Sequence, residues 1–196
     1  MIRWAIVALA LGLCVWSLSA GAQQPTKVPR IGILSDTAST PFEPPFAQGL
    51  RDLGYLEGQN IVIERRYARE KRYEILPSLA AELVRLQPDV IVAIGTAAAR
   101  AAKGATQTIP IVFARSADPV GLGLVASLAR PGGNVTGVSI QVTDIMGKRL
   151  QLLSTAVPDA KRVGALWNPS DPAAAAQFRP VEEAARSLNL ELVPAA

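Results

Sequence analysis

Short apolar runs rich in valine and isoleucine alternate along this chain with longer stretches whose apolar residues recur at helical spacing. Residues 30–34 (RIGIL), 61–63 (IVI), 90–94 (VIVAI) and 111–114 (IVFA) are the short runs, and runs of this kind predict strands. The third is apolar at every position, the mark of a strand buried on both faces in a parallel sheet covered by helices. Between the runs, residues 46–55 carry Leu50 and Leu53 on one face and stop at Gly54. Residues 76–86 set Leu76, Leu79, Ala80, Leu83, Val84 and Leu86 near a 3.6-residue period until Pro88 closes them, and residues 97–102 are alanine-rich and strongly helix-forming. Pro110 opens the fourth run, which a strand tolerates at its first position. Strand and helix in turn over four strands predict the α/β class with a doubly wound parallel sheet.

The rhythm then pauses and restarts. Asp118-Pro119 has the form of a helix start, with Asp as N-cap and Pro at the first helical position, and predicts a helix over 120–129. Arg130-Pro131-Gly132-Gly133 is the clearest break in the chain, so a first lobe is expected over 23–130 and a crossing at 131–134. Beyond it the pattern predicts a strand over 135–140, a helix over 144–156, a strand over 162–167, a turn through Asn168-Pro169-Ser170-Asp171-Pro172, a helix over 173–188 and a strand from 191. Residues 135–196 thus form a second α/β lobe with few strands, expected to be incomplete, and two such lobes predict a ligand cleft between them.

The turn after the third strand is the most pointed local feature. Gly95 breaks the strand, Thr96 is expected as the N-cap, and the helix starts at once. Unpaired N–H groups and the positive dipole end there favour an anion or carboxylate. Gly95, Thr96 and Ala97 are therefore candidates to hold a polar end of a small ligand, the alternative being an ordinary capped surface turn. Polar residues recur at the other strand-to-helix turns: Ser35 and Asp36, residues 116–118, Ser139, and residues 168–171. On a doubly wound sheet such turns share one edge and converge on one crevice. Taken singly, Asp36, Asp118, Asp144 and Asp171 also read as helix caps.

Composition narrows the chemistry. The 196 residues include no histidine, which removes Ser-His, Cys-His and His-metal arrangements. No Gly-x-x-x-x-Gly-Lys-Ser/Thr occurs, and Gly121-Leu122-Gly123 falls in an expected helix without the third glycine of a dinucleotide loop, so neither a nucleotide cofactor nor a metal is expected. At the N-terminus Arg3 precedes the apolar run 4–18 and the small residues Ser19-Ala20-Gly21-Ala22, the three parts of a secretory signal over 1–22 with cleavage after Ala22. The one cysteine, Cys14, lies inside that signal after Leu13, which is not the small residue a lipoprotein site needs. Loss of Arg3 takes the formal charge from +4 to +3, too mild to name a partner. In Glu64 to Glu74, ERRYAREKRYE, both signs alternate around Tyr67 and Tyr73; this reads as a solvated loop or helix face and not as a nucleic-acid surface.

The phrases VPRIGIL, FAQGLRDLGYLEGQNIVIERRYA, LPSLAAELVRLQPDVIVAIGTAAARAAKGATQTIPIVFA, DPVGLGLVASLARPGGNVTGVS, GKRLQLL and LWNPSDP resemble the substrate-binding proteins of ABC transporters, in the family that includes tryptophan- and tyrosine-binding periplasmic proteins. The resemblance runs from Val28 to the end of the chain. It implies a periplasmic-binding-protein-like, type I-like fold whose lobes close over a small ligand, typically an aromatic or other apolar amino acid. It also implies a monomer in the periplasm that performs no reaction, has no nucleic-acid partner, and delivers its ligand to a membrane permease driven by a separate ATPase. Carried over by position, it puts Ser35, Asp36, Gly95, Thr96, Ala97 and Asp118 on the first-lobe side of the ligand, and Ser139, Asn168, Pro169 and Ser170 on the second. Two departures stand out: relatives have a longer chain, so this one resembles a truncated member, and Arg115 puts a charge where relatives commonly carry small apolar residues. The rival expectations are a secreted enzyme using Asp36 and Asp118 as a carboxylate pair, and a ligand-binding partner of a sensor kinase.

Overall fold

The computed structural model describes residues 27–38, 41–69 and 72–195, so the expected signal over 1–22 lies outside the described residues. Five strands form the first sheet: β1 (Arg30–Ser35), β2 (Val62–Tyr67), β3 (Val90–Ile94), β4 (Ile111–Ser116) and β5 (Val135–Ser139), in the order β2-β1-β3-β4-β5. Every neighbouring pair is parallel. β3 lies at the centre, and its alternation sends side chains into two cores. Ile91 and Ala93 join Leu83, Ala98 and Ala102 on one face, while Val90 and Val92 pack with Ile31, Ile33 and Ile61 on the other. Burial on both faces is why this run carries no polar residue.

Helix α1 (Glu43–Asp52) begins with prolines in its first turn and turns Phe46 and Leu50 onto the second core. The opposite face is covered by α2 (Leu76–Arg85), through Leu76, Ala80 and Leu83, and by α3 (Thr96–Ala105), through Ala97, Ala98, Ala99 and Ala102. Alanines on α3 bring its axis close to the sheet, and Arg100 faces solvent. The charged stretch expected as a loop or helix face is in part the edge strand β2. Its charges are paired: Arg65 donates to Glu57 at 2.5 Å and Arg66 to Glu82 at 2.8 Å. The hydrogen bond from Arg65 holds the Glu57 carboxyl below its usual range. Charged side chains on an edge strand block further pairing with another chain.

Two expectations are corrected here. Residues 120–129 are turns and bends, not a helix. The Asp118 carboxylate accepts the N–H of Gly121 at 2.8 Å, Pro119 O accepts from Leu124 and Val125, and Gly123 takes φ +66°. Asp118 competes locally for the N–H groups a helix would use, and two glycines within three residues each disfavour that helix by about 1 kcal/mol. Second, residues 135–139 do not open the second lobe. They are the fifth strand of the first sheet, held beside β4 by Asn134, whose amide donates to Ile109 O at 2.8 Å and to Thr106 O at 3.3 Å. Residues 131–134 are therefore a loop within the first unit. The chain leaves that sheet after Ser139, where Gln141 takes φ +45°.

A 3₁₀ turn at Thr143–Ile145 leads into α4 (Met146–Ala156), followed by β6 (Arg162–Leu166), α5 (Pro172–Ser187) and β7 (Glu191–Ala195). β6 and β7 pair in parallel as a two-stranded sheet. Trp167 stacks on Phe178 with ring centroids 4.5 Å apart, joining the end of β6 to α5. Among the described residues no helix is long and apolar enough to cross a membrane.

Burial predicts where stability resides. Ile91 is fully buried between α2, α3 and the sheet, so Ile91→Ala is expected to cost about 2–5 kcal/mol in urea unfolding. Leu166, 87% exposed, changes stability on truncation to alanine by no more than about 0.5 kcal/mol. Equal losses at the two positions would contradict this assignment of the core.

Candidate functional site

A doubly wound sheet of order 2-1-3-4-5 reverses its winding between β1 and β3, and the crevice outside the carboxyl ends of those two strands is where ligands bind. Asp36 follows β1 and Gly95 follows β3, so the topology brings them together. The Asp36 N–H donates to Ile94 O at 3.3 Å. The Asp36 carboxylate lies against Gly95: a β-carbon built on Gly95 would fall 1.9 Å from Asp36 Oδ2. Gly95 also takes φ +97°, which a side chain disfavours. Glycine is needed there twice over, for its conformation and for the space Asp36 fills.

Gly95, and not Thr96, is the N-cap residue of α3. Thr96 is 2% exposed, and its Oγ1 accepts the N–H of Ala117 at 3.1 Å, tying the β3–α3 turn to the end of β4. The hydroxyl expected to cap the helix is used between strands because β4 ends within its reach. β4 carries a bulge between Ala114 and Ser116, and at it Arg115 takes φ +62°. Its guanidinium comes within 3.9 Å of Asp36 Oδ1 and stands 5.9 Å from the centroid of the Phe42 ring.

These groups line a cleft of about 220 Å³. From the first sheet come Asp36, Thr37, Gly95, Thr96, Arg115 and Ala117, with Tyr73 from the 3₁₀ turn before α2. Facing them are Asp171, Ala173 and Gln177 of the second unit, with Ile140 from the crossing. Asp171 is the N-cap of α5, its Oδ1 accepting from Ala173 N–H at 2.8 Å. Burial raises the Tyr73 phenol well above its ordinary pKa, and the Asp171 and Asp36 carboxylates push it the same way, so it stays a neutral donor. The cleft thus offers carboxylates from both units, one guanidinium and a phenol. Among the described residues no group of three or more His, Cys, Asp or Glu could hold a metal ion.

The other expected site residues lie elsewhere. Ser35 is fully buried and its Oγ accepts Thr37 N–H at 3.2 Å, shaping the turn that carries Asp36. Ala97 and Ser170 line a neighbouring cavity of about 340 Å³ together with Tyr73 and Arg100. Asp118 is committed to its own turn and does not line the cleft, so the carboxylate pair of the enzyme reading is not assembled. Ser139 donates to Ser116 O at 3.2 Å and accepts from Gln141 N–H, fixing the start of the crossing. Asn168 and Pro169 are exposed, and Asn168 Oδ1 accepts Ser170 N–H at 3.0 Å. Tyr73, Arg115 and Gln177 line the cleft without being among the expected site residues. Tyr73 sits in a stretch whose alternating charges dominate its reading, and Gln177 is a mid-helix residue with no local signal. A larger cavity of about 320 Å³ in the second unit is lined mainly by apolar residues such as Met146, Leu150, Val163 and Phe178, and lacks such converging charges.

Residues 31–196 match the family model described as ABC transporter substrate binding protein. The tyrosine-binding protein of Clostridioides difficile is 38% identical over 148 residues, covering 76% of this chain and 42% of that protein. Among solved structures, a conserved domain protein from Vibrio cholerae superposes with a TM-score of 0.75 at 31% identity, over 86% of this chain and 57% of that one. The ABC domain from Streptococcus pneumonia in complex with L-Trp gives a TM-score of 0.69 at 28% identity, with the same coverage of 86% and 57%. The chain therefore spans about half the length of the relatives it matches.

The packing of Asp36 on Gly95 predicts a coupled pair. Gly95→Ala is expected to destabilise the fold by about 1–3 kcal/mol, read in thermal unfolding, because it combines a clash with an unfavourable φ. Adding Asp36→Ala removes the clash but not the backbone strain, so the double variant should recover part of the loss. Strictly additive losses would show that the two residues do not pack as described.

Proposed function

The chain belongs to the ABC transporter substrate-binding protein family, with two α/β lobes of the periplasmic-binding-protein kind, and we propose that its cleft between the lobes captures a small ligand, an aromatic or other apolar amino acid, for import. The observation that carries this reading is the convergence of Asp36, Thr96, Arg115, Asp171 and Gln177, drawn from both units, at the switch point of the first sheet. The carboxylates of Asp36 and Asp171 are acceptors for an ammonium group, and the neutral Tyr73 adds a donor. Relatives described as binding tyrosine or held in complex with L-Trp direct the choice of ligand to aromatic amino acids first.

In this reading the ligand bridges the lobes. It touches Asp36 and Gly95 on one side and the α5 start on the other, so it interacts more strongly with a closed arrangement than an open one, and that difference drives closure. The short crossing at residues 140–142 is where the chain bends. The family binds substrate and does not convert it, and the Asp36–Asp118 pair of the enzyme reading is not assembled in the cleft. The mature protein, cleaved after Ala22, works as a monomer outside the cytoplasmic membrane and presents its closed form to a permease driven by a separate ATPase.

A thermal-shift series tests the reading. A ligand that binds only the folded state at about 100 times its Kd adds about 2.7 kcal/mol, a rise in Tm of roughly 5–10 °C for a chain of this size. L-Tyrosine or L-tryptophan is expected to give such a rise, and Asp36→Ala to abolish it. A folded chain whose Tm no amino acid moves would remove the import reading.

A further inference from the structure

Arg115 stands apart from the rest of the cleft. Among the described lining residues it is the one cation, facing the carboxylates of Asp36 and Asp171. Its backbone takes φ +62° at a β-bulge, a conformation that residues with a side chain adopt only at a cost and that re-aims the side chain at a strand end. The guanidinium so placed is ion-paired with Asp36 at 3.9 Å, a separation longer than a hydrogen bond, which leaves its N–H fork to be engaged by a closer acceptor. The ring of Phe42, 5.9 Å away, meets the guanidinium by a cation–π contact, which does not consume its N–H donors. Its side chain is 43% exposed, open to the cleft's solvent.

We propose that Arg115 is the specificity-determining residue of the cleft: its N–H fork receives the carboxylate of a zwitterion whose ammonium is taken by Asp36 and Asp171. Asp36 is fixed in place by its seat on Gly95, so the acceptor for the cation and the donor for the anion stand side by side. An α-amino acid carries its two charges on one carbon and matches that spacing. An amino-acid amide or a decarboxylated amine keeps the cation but leaves the guanidinium beside Asp36 without the bidentate partner its geometry fits. The arrangement therefore selects the free acid against its neutral derivatives. This inference rests on the reading of the cleft as an amino-acid site.

The test is isothermal titration of the purified mature chain with L-tyrosine and L-tyrosine amide, and with L-tryptophan and L-tryptophan amide. The wild type is expected to prefer the acid about 10- to 100-fold, the worth of charged hydrogen bonds. Arg115→Gly, which accepts the positive φ without strain, should weaken binding of the acid by the same factor and leave the amide within about threefold, collapsing the preference. Arg115→Lys, which keeps the charge without the fork, should fall between the two, with a single cooperative thermal transition and an unchanged far-UV circular dichroism spectrum certifying the fold of each variant. Tyrosine or tryptophan bound with a preference that survives Arg115→Gly overturns this inference alone. A folded wild type that binds neither overturns the reading of the cleft, and the inference with it.

Discussion

The seat of the Asp36 carboxylate against the bare α-carbon of Gly95 is the contact on which the site depends. Parallel β1 and β3 end side by side, and each must turn away into a helix that covers the sheet. At that edge the two turns would collide if both carried side chains. Glycine at 95 removes the collision and supplies a backbone conformation other residues avoid. The result is a carboxylate held at the mouth of a crevice without a flexible tether, which is the preorganisation that lets a site recognise charge instead of adapting to it.

The surrounding structure serves to keep that edge in place. Thr96 ties the β3 turn to β4 through Ala117, Ser139 ties β5 to β4 through Ser116, and the buried alanines of α3 fix the helix on the sheet. The second unit needs only to bring the start of α5 opposite, and its Asp171 does so while capping that helix. The cleft is thus assembled from strand ends and one helix start, with few residues of its own. A cleft built on such elements inherits the rigidity of the sheet.

Much of this was legible along the chain because the signals are local and strong. The strands β1, β3 and β4 and the helices α2, α3 and α5 follow from apolar period, proline and glycine, and the clustering of polar residues at strand ends pointed to one crevice. The failures are equally physical. Asp118-Pro119 has the grammar of a helix start, but Gly121 and Gly123 and the Asp118 side chain favour a knot of turns that sends Leu124 and Val125 into the core. The Pro-Gly-Gly break marks a loop, yet nothing in it says whether the next strand joins the old sheet or begins another. That choice was made by Asn134, reaching back to Thr106 and Ile109. Tyr73, Arg115 and Gln177 reach the cleft from three distant segments, and distance along the chain hides their meeting.

The sequence by itself determined the class of fold, the central buried strand, the glycine turn after it and the absence of histidine chemistry, because each depends on a residue and its near neighbours. Tertiary structure decided which of the polar turn residues share a cleft. Ser35, Thr96, Asp118 and Ser139 all have hydrogen-bonding groups at strand ends, and whether such a group faces a ligand or satisfies a buried N–H depends on what lies across from it in space. Backbone donors left unpaired in the interior claim the nearest oxygen. Asp36, seated on Gly95, Arg115, placed at a bulge, and Asp171, at the start of α5, bring their charges to the cleft.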